Sequence, residues 1–270
     1  MGRHEQLLTR VATMYYLQDA TMHAIAEELG VSRSTISRML KEARETGLVR
    51  ISVHTESGTD HRSLAARLSR TYGVRAHVVP VRRSISDHRR LSQVARSAAA
   101  LLAEAVQPDW MLGVAWGTTI TELARHLPAR PTPGVSVVQL NGAGNSQGSG
   151  IPYVGEVMGT FATAFDAETH LFSVPAFFDY AQTKRLLWQE RSVRAVLDRQ
   201  LACDVAVFGV GALAANPPSH VYSAGFLSDN DLAALQRERI VGDVCTVFLR
   251  EDGTYADVEL NARASGLTPE

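Results

Sequence analysis

Thr21-Met22-His23-Ala24-Ile25-Ala26-Glu27-Glu28-Leu29-Gly30-Val31-Ser32-Arg33-Ser34-Thr35-Ile36-Ser37-Arg38-Met39-Leu40-Lys41-Glu42-Ala43-Arg44 decides how the amino-terminal part folds. Thr21 is placed to cap a helix over Met22 to Leu29. Gly30 then supplies the residue most tolerant of a left-handed backbone, and Ser32 caps the next helix, which runs to about Thr46 and ends at Gly47. Ala26 is small where two helices would cross, and Ile36 and Met39 supply apolar contacts, with Ile25, Leu29 and Val31 filling the remaining core. Those constrained positions together spell a helix-turn-helix. Ser32, Arg33, Ser34, Thr35, Ser37, Arg38 and Lys41 are left facing outward. Hydroxyls and a lysine suit phosphates, and an arginine can grip guanine with two hydrogen bonds, so this face is expected to contact double-stranded DNA. A solvated helical bundle or a protein-contact motif is the bland reading of the same residues.

On the amino-terminal side, Glu5 to Leu17 carries Leu7, Leu8, Val11, Ala12 and Tyr15 at helical spacing, which predicts a first helix. On the other side, Leu48, Val49, Ile51 and Val53 read as a short strand, making the motif a winged type. Thr55 to Asp60, polar and containing Gly58, reads as a linker and divides the chain into a DNA-binding domain at 1–57 and a second domain at 58–270. The chain has 270 residues and a formal net charge of -1, which would argue against nucleic acid if charge were evenly spread. It is not: from Ser32 to Arg44 there are Arg33, Arg38, Lys41 and Arg44 against Glu42 alone. No apolar run approaches the roughly 18 residues that cross a bilayer, and Met1 to Gln18 has its charges scattered rather than arranged as an export signal. A cytoplasmic protein without membrane contact is expected. Cys203 and Cys245 lie in apolar, strand-like stretches and read as buried free thiols.

Beyond residue 60 helical and strand-like segments alternate. Helices are expected at His61–Tyr72, Asp87–Val106, Thr118–Leu127, Tyr153–Phe165, Tyr180–Trp188, Val193–Leu201 and Asp229–Arg239. Strands are expected at Val74–Val79, Trp110–Ala115, Val135–Leu140, His170–Val174, Asp204–Gly209 and Asp243–Leu249. Such alternation makes an α/β fold with a Rossmann-like parallel sheet covered by helices. Ligands in such sheets lie at the carboxyl ends of strands, where glycines let amides approach an anion. Gly113-Val114-Ala115-Trp116-Gly117-Thr118-Thr119, Asn141-Gly142-Ala143-Gly144 and Gly209-Val210-Gly211 all have that form.

The order of these segments resembles the SorC-type bacterial transcriptional regulators, also called the sugar-binding or deoxyribonucleoside-regulator-like group. The matching pieces are Ser37-Arg38-Met39-Leu40-Lys41-Glu42-Ala43-Arg44, Gly113 to Thr119, Leu140-Asn141-Gly142, Leu171 to Pro175 followed by Ala176, Val207-Phe208-Gly209-Val210-Gly211, and Val241-Gly242-Asp243-Val244-Cys245 followed by Asp252-Gly253. The resemblance implies an effector domain with the fold of sugar-phosphate isomerases that binds a sugar or sugar phosphate without turning it over. It also implies homodimers or homotetramers on operator DNA of a carbohydrate-catabolic operon. By matching position, Gly117, Thr118 and Thr119 would take an effector phosphate, and Asn141, Gly142 and Gly211 would line the sugar side. Some relatives carry a lysine where this chain has Asn141. Asn141 cannot form an imine, so recognition by hydrogen bonds is expected. Family members usually continue for some tens of residues past the match to Leu260-Asn261-Ala262-Arg263, so an effector domain incomplete at its carboxyl end is expected here.

Sharper readings compete with this one. Gly144-Asn145-Ser146-Gln147-Gly148 spells an esterase elbow, but it is not set directly between strand and helix. An isomerase would need a poised base, for which His170, His220, Asp179, Asp204 and Asp243 are available, so a sugar-phosphate isomerase-like enzyme is the alternative reading. Gly142, Gly144 and Gly148 lack the dinucleotide spacing, and Trp110, Trp116 and Trp188 read as core or pocket wall. No catalytic residue, metal or cofactor is expected.

Overall fold

A computed structural model describes residues 3–16, 18, 20–49, 61–82, 84–213, 215 and 219–268. The chain forms two compact units, Met1–Val78 and Val79–Glu270.

In the first unit, α1 (Arg3–Tyr16), α2 (Met22–Leu29) and α3 (Arg33–Glu45) enclose a core of Leu8, Val11, Met14, Ile25, Ala26, Ile36, Met39 and Leu40. The capping chemistry sets the angle between α2 and α3. Thr21 accepts the Ala24 N–H at 3.2 Å, Gly30 sits at φ 66°, and Ser32 accepts the Thr35 N–H at 3.1 Å. Two expected core contributors are outside it: Leu7 is 38% exposed, one position off the buried stripe, and Val31 is 39% exposed in the turn between α2 and α3. The expected wing falls away from view, since Leu48 and Val49 form bends and Ile51 and Val53 lie outside the described residues, as does the boundary expected near residue 58. A further helix, α4 (His61–Tyr72), follows and contains no buried residue.

The second unit begins with α5 (Asp87–Ala105) and continues through β1 (Met111–Val114), α6 (Thr118–Ala124), β2 (Ser136–Gln139), α7 (Gly150–Phe165) and β3 (Glu168–His170). Then come α8 (Ala181–Leu187), α9 (Arg191–Leu201), β4 (Val205–Val207), β5 (Val210–Ala212), α10 (His220–Ser223), α11 (Asp229–Arg237), β6 (Ile240–Val244) and β7 (Val247–Arg250). Among the described residues a four-stranded parallel sheet has the order β3-β2-β1-β4. Its strands are apolar and buried in the centre because helices cover both faces. Leu112, Val114 and Val137 meet Phe161 and Phe165 of α7 and Ala95, Ala99 and Leu102 of α5 in one core.

Four expectations about strands need correction. Residues 75–80 form no strand, and Val74 is 53% exposed. The segment His170–Val174 is strand only as far as His170. Asp204–Gly209 is shorter than expected: β4 ends at Val207, and β5, from Val210, begins a second, antiparallel sheet of order β5-β6-β7. Asp243–Leu249 is not one strand but the turn of a hairpin, β6 and β7, with Cys245 at φ 49° and Thr246 at φ 67°. Two consecutive residues at positive φ match the right-handed twist of a tight hairpin. Glycine or asparagine usually marks such a turn, and neither is present here.

Candidate functional site

On α3, the outward stripe runs through Arg33, Ser34, Ser37, Arg38 and Lys41, all exposed, while Ile36, Met39, Leu40 and Ala43 are buried on the other side. Ser32 is also exposed and Thr35 half-buried. The three hydroxyls at the helix start form one cluster, with Ser32 Oγ at 2.7 Å from Ser34 Oγ and 2.9 Å from Thr35 Oγ1. Lys41 is 3.6 Å from Glu45 in an exposed ion pair. Behind this face, α3 is braced against α1, since Arg44 donates to the Tyr16 hydroxyl at 2.9 Å. The result is a face of short hydroxyls and long cations on one helix, the combination that reaches phosphates and base edges together.

In the second unit a cavity of about 430 Å³ opens at the carboxyl ends of β1 and β4. That is the size of a small-molecule site. Gly117, Thr118 and Thr119 lie on one wall, Gly209, Val210 and Gly211 on another, and Asp243, Cys245 and Thr246 of the hairpin close the third. Asp87 and Arg90 from the first turn of α5 complete the rim. Four of the six expected effector residues, Gly117, Thr118, Thr119 and Gly211, therefore meet around one space.

Asn141 and Gly142, expected on the sugar side, do not line it. Asn141 is 1% exposed, and its side-chain oxygen accepts the Trp116 N–H at 3.3 Å. The Trp116 indole N–H donates to the carbonyls of Asn141 and Gly142, at 3.2 and 2.9 Å. Gly142 donates its own N–H to Ser265 Oγ at 2.9 Å, and Gln139 Nε2 donates to the Asn141 carbonyl at 2.6 Å. These two residues are spent on fixing Trp116, which is itself on the cavity wall. Trp110 is half-buried against the core, and Trp188 packs edge-on to Phe172 and Phe178.

The residue that sequence reasoning undervalued is Asp243. It is 5% exposed, lines the cavity, and its Oδ1 has no hydrogen-bond partner among the described residues. Burial, the largest influence, pushes its carboxyl from the usual range up to about 6, against smaller opposing contributions from Tyr222 and the Thr246 backbone. The Tyr222 hydroxyl, buried beside it, is pushed upward, by burial first and by the Asp243 charge second. A side chain on residue 211 would collide with the Asp243 carboxylate, so glycine there is what lets β5 lie against β6 with the acid between them. The signal in the sequence was the Val241-Gly242-Asp243-Val244-Cys245 stretch, whose acid interrupts an apolar strand. Cys245, also on the wall, has its thiol pushed up to about 12 by burial, which makes it inert, whereas Cys203 is only half-buried.

No histidine lines the cavity among the described residues: the His220 ring lies tilted against Tyr153 at 4.4 Å, where burial lowers its affinity for a proton, and His170 ends β3 at the sheet edge. Ser146 is exposed in a turn rather than set between strand and helix. No group of histidines, cysteines and carboxylates among the described residues is arranged to hold a metal ion, and no described helix is long and apolar enough to cross a membrane.

Comparison with known proteins finds two families that match the chain. Residues 57–270 match the family described as "Putative sugar-binding domain", and residues 12–63 match the MarR family of DNA-binding domains. The deoxyribonucleoside regulator of Bacillus subtilis (strain 168) is 31% identical over 267 residues, covering 97% of this chain and 82% of the relative. Among solved structures, a domain of a possible sugar-binding transcriptional regulator from Arthrobacter aurescens TC1 is similar at a TM-score of 0.72 and 41% identity, over 79% of this chain and 82% of that one. The full-length sorbitol operon regulator SorC from Klebsiella pneumoniae is similar at a TM-score of 0.69 and 25% identity, over 99% of this chain and 85% of that one.

Proposed function

The chain belongs to the sugar-binding-domain family of transcriptional regulators, and on that premise we propose which of its residues read DNA and which hold the effector. It is a regulator with a DNA-binding helix-turn-helix and a sugar-binding effector domain, not an enzyme. Ser32, Arg33, Ser34, Thr35, Ser37, Arg38 and Lys41 contact operator DNA, with Arg33 and Arg38 reaching base edges and the hydroxyls and Lys41 reaching phosphates. Gly117, Thr118, Thr119 and Gly211 hold a sugar or sugar phosphate in the cavity, and Asn141 and Gly142 serve it from behind through Trp116.

The single observation that carries the effector reading is the convergence of Gly117, Thr118, Thr119, Gly211 and the carboxylate-bearing Asp243 on one cavity. Backbone amides, two hydroxyls and one carboxylate around a space of that size suit a polyhydroxylated ligand. DNA recognition and effector binding fall to 1–57 and 58–270 respectively, and the chain acts in the cytoplasm as a homodimer or homotetramer on a two-fold symmetric operator.

Fluorescence anisotropy of DNA from upstream of the neighbouring operon, at fixed salt, with and without a mixed pool of sugars and sugar phosphates, tests this reading. Specific binding that shifts with the pool is the expected result. Specific binding that ignores every pool member would sink the effector assignment, and no specific binding would sink the DNA assignment.

A further inference from the structure

Arg90 is the only lysine or arginine among the described residues lining the cavity, whose lining also carries two carboxylates, Asp87 and Asp243. Its guanidinium is already engaged, since Arg90 Nη1 lies 2.6 Å from Asp87 Oδ1 one turn earlier in α5. The two side chains are 47% and 37% exposed, so this is a rim ion pair that contributes little and exchanges readily. Gly117, Thr118 and Thr119 can offer a phosphate amides and hydroxyls but no formal charge.

The backbone carrying Arg90 is held in fixed relation to that loop. Ser92 Oγ is 3.0 Å from His126 Nε2, and His126 is 3.3 Å from Glu122 of α6. The Ser92 hydroxyl is the largest influence holding the Glu122 carboxyl below its usual range. Arg90 and the loop that precedes α6 thus line one cavity from two helices joined by these side-chain contacts.

Building on the effector reading above, we propose that Arg90 is the anion clamp of the site, leaving Asp87 to close on the phosphate of a sugar phosphate seated on Gly117–Thr119. A planar guanidinium grips phosphate through two parallel hydrogen bonds, which a neutral sugar cannot offer in exchange for the carboxylate it would displace. Asp87 is then a competitor that sets the threshold: it holds the clamp open until a dianion outbids a single carboxylate. The site thus selects phosphorylated sugars over their free forms, despite carrying more acids than bases.

The test is calorimetric titration of the full chain with inorganic phosphate and with matched pairs, ribose 5-phosphate with ribose and glucose 6-phosphate with glucose. The expected result is a phosphorylated member that binds more tightly than its free sugar. Arg90→Gln should cut that preference by about 10- to 100-fold, as expected for loss of a charge-assisted pair, and Arg90→Lys should retain part of it. Asp87→Asn should raise affinity for the phosphorylated member by about threefold. Thermal melts of the variants separate loss of the clamp from loss of the fold. An undiminished phosphate preference in Arg90→Gln overturns the clamp while leaving the sugar-phosphate reading in place. A wild-type chain that binds free sugars as well as their phosphates, or binds neither phosphate esters nor inorganic phosphate, overturns both.

Discussion

Asp243 shows a single residue working against stability. Its carboxyl is raised from 3.8 to about 6 by burial, so the folded chain holds that proton more tightly than the unfolded chain does. The sign follows: this group favours folding below the ordinary aspartate range, and the advantage is lost as pH rises through about 6, by about 3 kcal/mol. Asp243→Asn removes the charge without changing shape, and its melting temperature at pH 8 should exceed that of the wild type by several degrees, the gap closing below pH 4. The same variant should bind effector about 10-fold or more weakly, because hydroxyls lose a charged acceptor. Wild-type effector affinity should in turn fall as pH is lowered through about 6, measurable by titration from pH 5 to 8. A residue that weakens the fold where it strengthens the site is what selection for binding leaves behind. The sequence exposes the acid in an apolar strand but not its burial, because that depends on the hairpin folding the turn back over the cavity. Thr118 and Thr119 were readable because strand, glycine and hydroxyls are contiguous, whereas the role of Asn141 depends on Trp116, 25 residues away.

At the scale of elements, what was legible follows from periodicity. Helices α1, α2, α3, α5 and α7 stand within a few residues of where a 3.6-residue apolar period puts them, because each buries one stripe. The strands of the parallel sheet are only three or four residues long, and the two central ones, β1 and β2, are buried along most of their length, so alternation could not mark their ends. Caps are where element-scale predictions are sharpest. Ser32→Ala removes the acceptor for the Thr35 N–H and should cost the helix-turn-helix about 1 kcal/mol, readable in a chemical melt of the first unit. At the far end of α11, Arg239 sits at φ 56°, a left-handed conformation that favours glycine. Arg239→Gly should therefore raise stability, by up to about 1 kcal/mol, and a loss of stability would show that the arginine side chain outweighs the strain. The β6–β7 turn is the counter-example: Cys245 and Thr246 adopt positive φ without a residue that advertises it, and Thr246 Oγ1 donates to the Cys245 carbonyl inside the turn. Local bonding and burial there override local preference, and no inspection of the sequence could have divided that segment into two strands.

For the molecule as a whole, the order of its segments was more informative than any segment, and net charge was less informative than charge placement. A chain of formal charge -1 still presents Arg33, Arg38 and Lys41 together on the exposed side of α3, so its affinity for DNA must fall with salt. Lys41→Ala should weaken binding evenly across operator sequences and reduce the slope of log affinity against log salt by about 1, whereas Arg33→Ala should relax preference at one base. What joins the two units functionally is free energy rather than any one contact. An effector changes operator affinity only by as much as it prefers the DNA-binding state over the other, and the operator must change effector affinity by the same factor. Measuring the operator dissociation constant with and without saturating effector, and the effector constant with and without saturating operator, should thus give equal ratios. Unequal ratios at equilibrium would mean that a further species, such as a change of assembly state on DNA, enters the cycle. In that case the effector would act by shifting how many chains assemble on the operator, and the ratios would converge once protein concentration was raised far above the assembly midpoint.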